Sequence, residues 1–199
     1  MPFANDADFD DPLSLMRARG VDPDPARAFV DTAGKPLFYA QTGGILNPER
    51  AELDEGTTLY RFGGGGADVP ALMAGCWWVD AAAFAKLLSF ASQHDIPAST
   101  AMRHLALVPP DWSDMTRLVR VRTARPLRAW QGLANSVHID PGDGLGVKSM
   151  PHRNDNPARR MAQLYIPGLW KPGAAQAWLH YGNDYTFSVE DGLRGIFAL

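Results

Sequence analysis

Apolar positions recur along this chain with two periods, and each predicts its own kind of element. Phe84, Leu87, Leu88 and Ala91 follow i, i+3, i+4, i+7 spacing, one buried stripe of a helix over Ala81 to Ser92 with Asp80 placed to cap it. Pro97 opens a second helix, Ala98 to Leu107, with Met102, Leu105 and Ala106 on one side and Pro109-Pro110 as its stop. The shorter period predicts strands. Thr57 to Phe62 is β-branched and aromatic, and Gly75 to Val79 runs straight into Asp80. Arg117 to Arg122 alternates, with Leu118, Arg120 and Arg122 on one face and Val119 and Val121 on the other, a half-buried strand. Leu127 to Gln131 continues as a strand that Gly132 ends, and Met161 to Pro167 forms another. Ala174 to His180 reads as a helical turn. Tyr185 to Val189 and Arg194 to Leu199 read as a closing antiparallel pair turned by Asp191-Gly192.

Ahead of this region the pattern is weaker. Asp6, Asp8, Asp10 and Asp11 dominate an opening segment with little to bury, which predicts an exposed lead-in. Short helices are expected over Pro12 to Arg19, ending at Gly20, and over Pro25 to Val30 behind Asp24. Lys35 to Ala40 reads as a strand broken by Gly43-Gly44, and Leu46 to Glu55 as a polar connection. Residues 140–160 lack any apolar period and predict a loop of functional length. The result is an α+β fold, a mostly antiparallel sheet carrying a few short helices, with residues 1–55 as a helical lead-in and 56–199 as the main domain.

Composition narrows the function classes. With 199 residues and 46% apolar content the chain can bury a core without metal or disulfide. Its 19 glycines and 16 prolines exceed the roughly 12% average and argue against a helical bundle. A net charge of −3 supplies no overall basic field for nucleic acid. Arg117, Arg120, Arg122, Arg125 and Arg128 form the one basic cluster. Arg120 and Arg122 could meet phosphates, but the solvated face of an amphipathic strand accounts for them more simply. A single cysteine, Cys76, fits a reducing compartment. Without a run of ~20 apolar residues or a basic-then-apolar start, cytoplasmic synthesis is expected, with no membrane partner and with any delivery into a target cell by a signal-independent route.

Chemistry has few local marks. The five histidines never share a helix face at metal-ligand spacing, and no HExxH, CxxC or GxSxG motif occurs, so no metal is expected. A hydrolase would have to draw on His138 or His152 from the long loop. The run Gly63 to Gly66 follows a strand but leads to Ala67-Asp68-Val69-Pro70, without the lysine of a P-loop, and reads first as a turn. On a strand Trp77 and Trp78 point to opposite faces, so one can fill a core while the other offers a stacking surface.

The order of the pieces is more specific than any one of them. Leu59-Tyr60-Arg61 after a Gly-Thr lead-in, a Gly-rich loop, then Gly75-x-Trp77-Trp78 followed by a helix with Phe84 and Phe90, resembles the front half of ADP-ribosyltransferase-like domains. Leu118 to Val121, Pro126-Leu127 and Gln163 to Gly168 continue the resemblance, which spans residues 56–199. It implies a split, mostly antiparallel sheet and NAD as substrate. Arg61 would hold the NAD phosphates or ribose, and Phe62, Gly63, Gly64, Trp77, Trp78 and Phe84 would form the rest of the cofactor pocket. It further implies mono-ADP-ribosyl transfer to a macromolecular acceptor, in the setting of a bacterial or phage effector or toxin. Gln163 stands where the family's catalytic glutamate is expected, Glu190 is the alternative late carboxylate, and Cys76-Trp77-Trp78 replaces the second motif. A glutamine can bond a ribose hydroxyl but cannot supply the negative charge that steadies an oxocarbenium-like transition state. A non-catalytic module binding a protein or nucleic acid is the competing expectation.

Overall fold

The structure is a computed structural model and describes residues 2–21, 28–30, 36–39, 43–109, 112–139, 148–150 and 159–181. In chain order its elements are α1 (Asp6–Phe9), α2 (Ser14–Ala18), β1 (Ala28–Val30), β2 (Pro36–Tyr39), β3 (Ile45–Leu53), β4 (Thr58–Gly63), α3 (Val69–Met73), β5 (Trp77–Asp80), α4 (Ala81–His94), α5 (Ala98–Ala106), β6 (Arg117–Thr123), β7 (Leu127–Ala134), β8 (Val137–Ile139), β9 (Lys148–Met150), β10 (Ala162–Tyr165) and β11 (Ala175–Tyr181). The fold is α+β. Seven strands form an antiparallel sheet in the order β11-β6-β4-β5-β10-β7-β3, and β1-β2 and β8-β9 form two small antiparallel pairs.

The sheet forks at β5. The C-terminal half of β5 pairs with β4, Val79 opposite Tyr60 and Asp80 opposite Leu59. Its N-terminal half pairs instead with β10, Trp77 opposite Tyr165 and Trp78 opposite Leu164. Beyond Tyr60 the strands β4 and β5 therefore diverge, and side chains fill the gap between them.

Alternation along the strands distributes residues to two faces. Tyr60, Phe62, Val79 and Leu118 lie under α4 and α5, where Phe84, Leu87, Leu88 and Ala91 form the expected stripe. Leu59, Trp78, Val119, Val121 and Leu164 pack on the opposite face. A third cluster, Phe9, Ala18, Ile45, Trp130 and Tyr165, sits beneath α1 and α2. Asp80 caps α4 through its carboxylate, which accepts the Ala83 amide at 2.7 Å.

Several expectations are corrected. The opening segment is not an exposed lead-in: Asn5 and Phe9 are 1% and 2% exposed, and Asp6 and Asp8 pair with Arg128 at 3.1 Å and Lys171 at 2.6 Å. Ala28–Val30 is a strand paired with β2, not the end of a helix, since Phe29 and Val30 favour extended backbone. The polar run from Leu46 is β3, polar because it is an edge strand with most positions open to water. Ala175–Tyr181 is a strand pairing with β6 over seven residues, and this ladder overrides the helix preference of its alanines. Strand β7 runs through Gly132, which is there because a Cβ would press on Ile45 and the Leu46 carbonyl. Covered by β11 and β4 on its flanks and by apolar clusters on both faces, β6 is buried on both sides from Leu118 to Val121 rather than half-buried. Arg120 is 5% exposed beside Tyr60 and has no solvated face from which to meet a phosphate backbone, whereas Arg122 is exposed. The closing pair from Tyr185 lies outside the described residues, as do His152 and all of residues 140–160 but 148–150 and 159–160.

Candidate functional site

Arg61 occupies the fork. Its Nη1 donates to the Trp77 carbonyl at 3.2 Å, an acceptor that regular pairing with β4 would have used. Its Nε is buried with no hydrogen-bond partner, and no carboxylate pairs with it among the described residues. Burial lowers the guanidinium from its ordinary value, with Cys76 acting in the opposite direction. It nevertheless stays charged at neutral pH. Gly75 makes the placement feasible, because a Cβ there would overlap the guanidinium. Cys76, next along, is half-buried. Burial pushes its thiol up, with the nearby Tyr165 side chain acting in the opposite direction, and burial raises the Tyr165 hydroxyl as well.

Five of the expected site residues, Arg61, Phe62, Trp77, Trp78 and Gln163, line one cavity of about 190 Å³. They arrive from β4, β5 and β10, the three strands that meet at the fork. Trp77 is half-buried with its ring edge-on to Tyr165 at 5.0 Å, while Trp78 is buried with its indole N–H on the Gly75 carbonyl at 2.8 Å. The two indoles do serve opposite faces of the sheet. Gln163 holds its amide near the Ala106 carbonyl, 3.5 Å away.

Other expected residues sit elsewhere. Phe84 stacks on Tyr60 in the core, centroids 4.1 Å apart and rings 8° from parallel, and does not line the cavity. Gly63 lies against Leu72, and Gly64 faces the Ser113-Asp114 turn. In the same run the Gly65 amide is already bonded, donating to Asp114 Oδ1 at 2.9 Å. Hydrogen bonds from the amide and hydroxyl of Thr116 and from that amide hold the Asp114 carboxyl below the usual carboxylate range. Glu190 lies outside the described residues, and His138 is in β8.

No family model and no curated protein matches the chain. A solved structure described as "Rhs1-CT in complex with cognate immunity protein RhsI1" is similar, with a TM-score of 0.42 and 15% identity over 75% of this chain and 89% of that one.

Sequence reasoning missed the outer wall of the cavity. Gly43, Gly44 and Val137 contribute from one side, Met102 and Ala106 from α5, and Trp112 from the turn before β6. Trp112 carried a signal, an isolated indole in a Pro-rich connection, where an apolar ring has no core to join. No carboxylate lines the cavity among the described residues. Glu49 and Asp80 line a separate groove of about 410 Å³ that shares Gln163 with the first as a lining residue. No three His, Cys, Asp or Glu side chains converge as a metal site, and no helix is long and apolar enough to cross a membrane, among the described residues.

Proposed function

We propose that the cavity at the fork binds NAD and that the protein is a mono-ADP-ribosyltransferase-like protein acting on a macromolecular acceptor. The observation that carries this reading is Arg61, a half-buried guanidinium in the wall of an aromatic cavity, whose enclosed Nε has no hydrogen-bond partner and which has no carboxylate partner among the described residues. A partly enclosed cation without a counter-charge, with one N–H left unsatisfied, is costly unless a ligand completes it. A phosphate does so through charge-assisted hydrogen bonds. Trp77 offers its ring to nicotinamide, and the Gln163 amide is suited to a ribose hydroxyl. In the reaction the bond from ribose to nicotinamide breaks, its electron pair leaves with nicotinamide, and the acceptor's nucleophile attacks the cationic ribose carbon.

A second reading, binding without turnover, is favoured by the absence of any carboxylate from the cavity wall among the described residues, with Gln163 in the position where the family resemblance calls for glutamate. One experiment separates the two. Nicotinamide release from NAD by the purified protein is measured beside Arg61→Ala and Gln163→Ala, with NAD-induced thermal stabilisation in the same samples. Arg61→Ala is expected to weaken NAD binding about 10- to 100-fold, the range for hydrogen bonds to a charged group. Turnover that falls in Gln163→Ala supports the transferase. Stabilisation by NAD without release supports the binding module, and neither effect in the wild type overturns the NAD reading.

A further inference from the structure

Among the described residues that line the Arg61 cavity, Trp112 alone is exposed, with 45% of its surface in water. It therefore marks the mouth. Across from it stands Gly43, at which a Cβ would lie 4.0 Å from the tip of the indole.

An indole in a surface turn ordinarily has nothing to hold it, but this turn is braced on both sides. From α5, Arg103 donates to the Val108 carbonyl at 3.1 Å and the Ser113 carbonyl at 2.6 Å. The Trp112 amide donates to the Pro109 carbonyl at 3.1 Å, and the Ser113 hydroxyl accepts the Met115 amide at 3.0 Å. Asp114 then ties the same turn to Gly65. The brace orients an aromatic face that contributes little to the core.

Size says what that face is for. The cavity holds about 190 Å³, below the roughly 300 Å³ at which pockets begin to enclose a drug-sized ligand. A whole dinucleotide does not fit inside. Resting on the NAD reading above, we infer that Trp112 is the stacking platform for the second ring, the adenine, outside the mouth. Arg103 is the positioning residue that orients it. The inner wall, with Arg61 and Trp77, takes the nicotinamide end.

The test uses two probes, NAD and nicotinamide mononucleotide, titrated by calorimetry into wild type, Trp112→Ala, Trp112→Phe, Arg103→Met and Arg103→Lys. Trp112→Ala is expected to weaken NAD about tenfold, within the range for loss of base stacking, and to leave the mononucleotide within about twofold. Trp112→Phe should recover most of the loss. Arg103→Met should weaken NAD several-fold without moving the mononucleotide, and Arg103→Lys, which keeps a donor, should restore part of it. Melting curves without ligand report folding independently. Equal losses for both probes, or no loss for either, overturn the platform while leaving the NAD reading in place. A wild type that binds neither probe overturns both.

Discussion

Arg61 owes its position to the residue beside it. With no side chain at Gly75 the guanidinium lies flat on the backbone at the fork. Gly75→Ala is therefore expected to expel Arg61 and to reduce NAD-induced stabilisation as far as Arg61→Ala does, which paired thermal-shift titrations of the two variants would check. The adjacent Cys76 is protected by its burial. Its thiol is raised above the ordinary value, so modification by a disulfide reagent should be slow at pH 7–8 in the native protein and fast once it is unfolded. Comparable rates in the two states would contradict the burial. Asp114 responds in the opposite direction. Its folded value is lowered, so its hold on the Gly65 amide is complete above the ordinary carboxylate pKa of about 3.9 and is lost as pH falls through the lower folded value. The Gly65 amide resonance should accordingly titrate with a midpoint below about 3.9.

The N-terminal helices are held by a few polar contacts of long sequence separation. Asn5 Nδ2 donates to the Arg128 and Pro167 carbonyls, both at 2.8 Å, and Asn5 Oδ1 accepts the Arg128 amide at 2.8 Å. Ser14 Oγ accepts the Trp130 indole N–H at 2.9 Å, and Phe9 stacks on Trp130 with centroids 4.8 Å apart. Asn5→Ala leaves one buried and two partly buried backbone groups without their partner and should cost about 3 kcal/mol in a denaturant melt, at about 1–3 kcal/mol for each unsatisfied group with partial relaxation. Composition conceals this segment, because its aspartates signal solvent while its few apolar residues do the packing. Helix α3 was legible in hindsight, with Asp68 accepting the Ala71 amide at 2.9 Å and Pro70 in its first turn, yet its five residues are too short for periodicity to declare.

Across the molecule, the two arginines of β6 show how topology sorts equivalent positions. Arg120 and Arg122 share a strand face, yet Arg120 is enclosed beside Tyr60 and Arg122 reaches the Gly56 carbonyl at 3.2 Å from an exposed position. Arg120→Ala should lower stability by about 2–3 kcal/mol, whereas Arg122→Ala should stay within about 0.5 kcal/mol, both read from chemical denaturation. Local pattern was enough to determine the α+β class, the α4 stripe with its Asp80 cap, the strands around Arg61, Trp77 and Gln163, and the opposite facing of the two indoles, because each follows from a period of 3.6 or 2 and from capping within a few residues. What only the tertiary structure decided is which faces are covered, that β5 changes partners and opens a fork, and that Gly43, Met102, Trp112 and Gln163 close around it. Those outcomes rest on pairings between residues tens of positions apart, and the alternation along a single strand says which side a residue takes but not what will be packed against it.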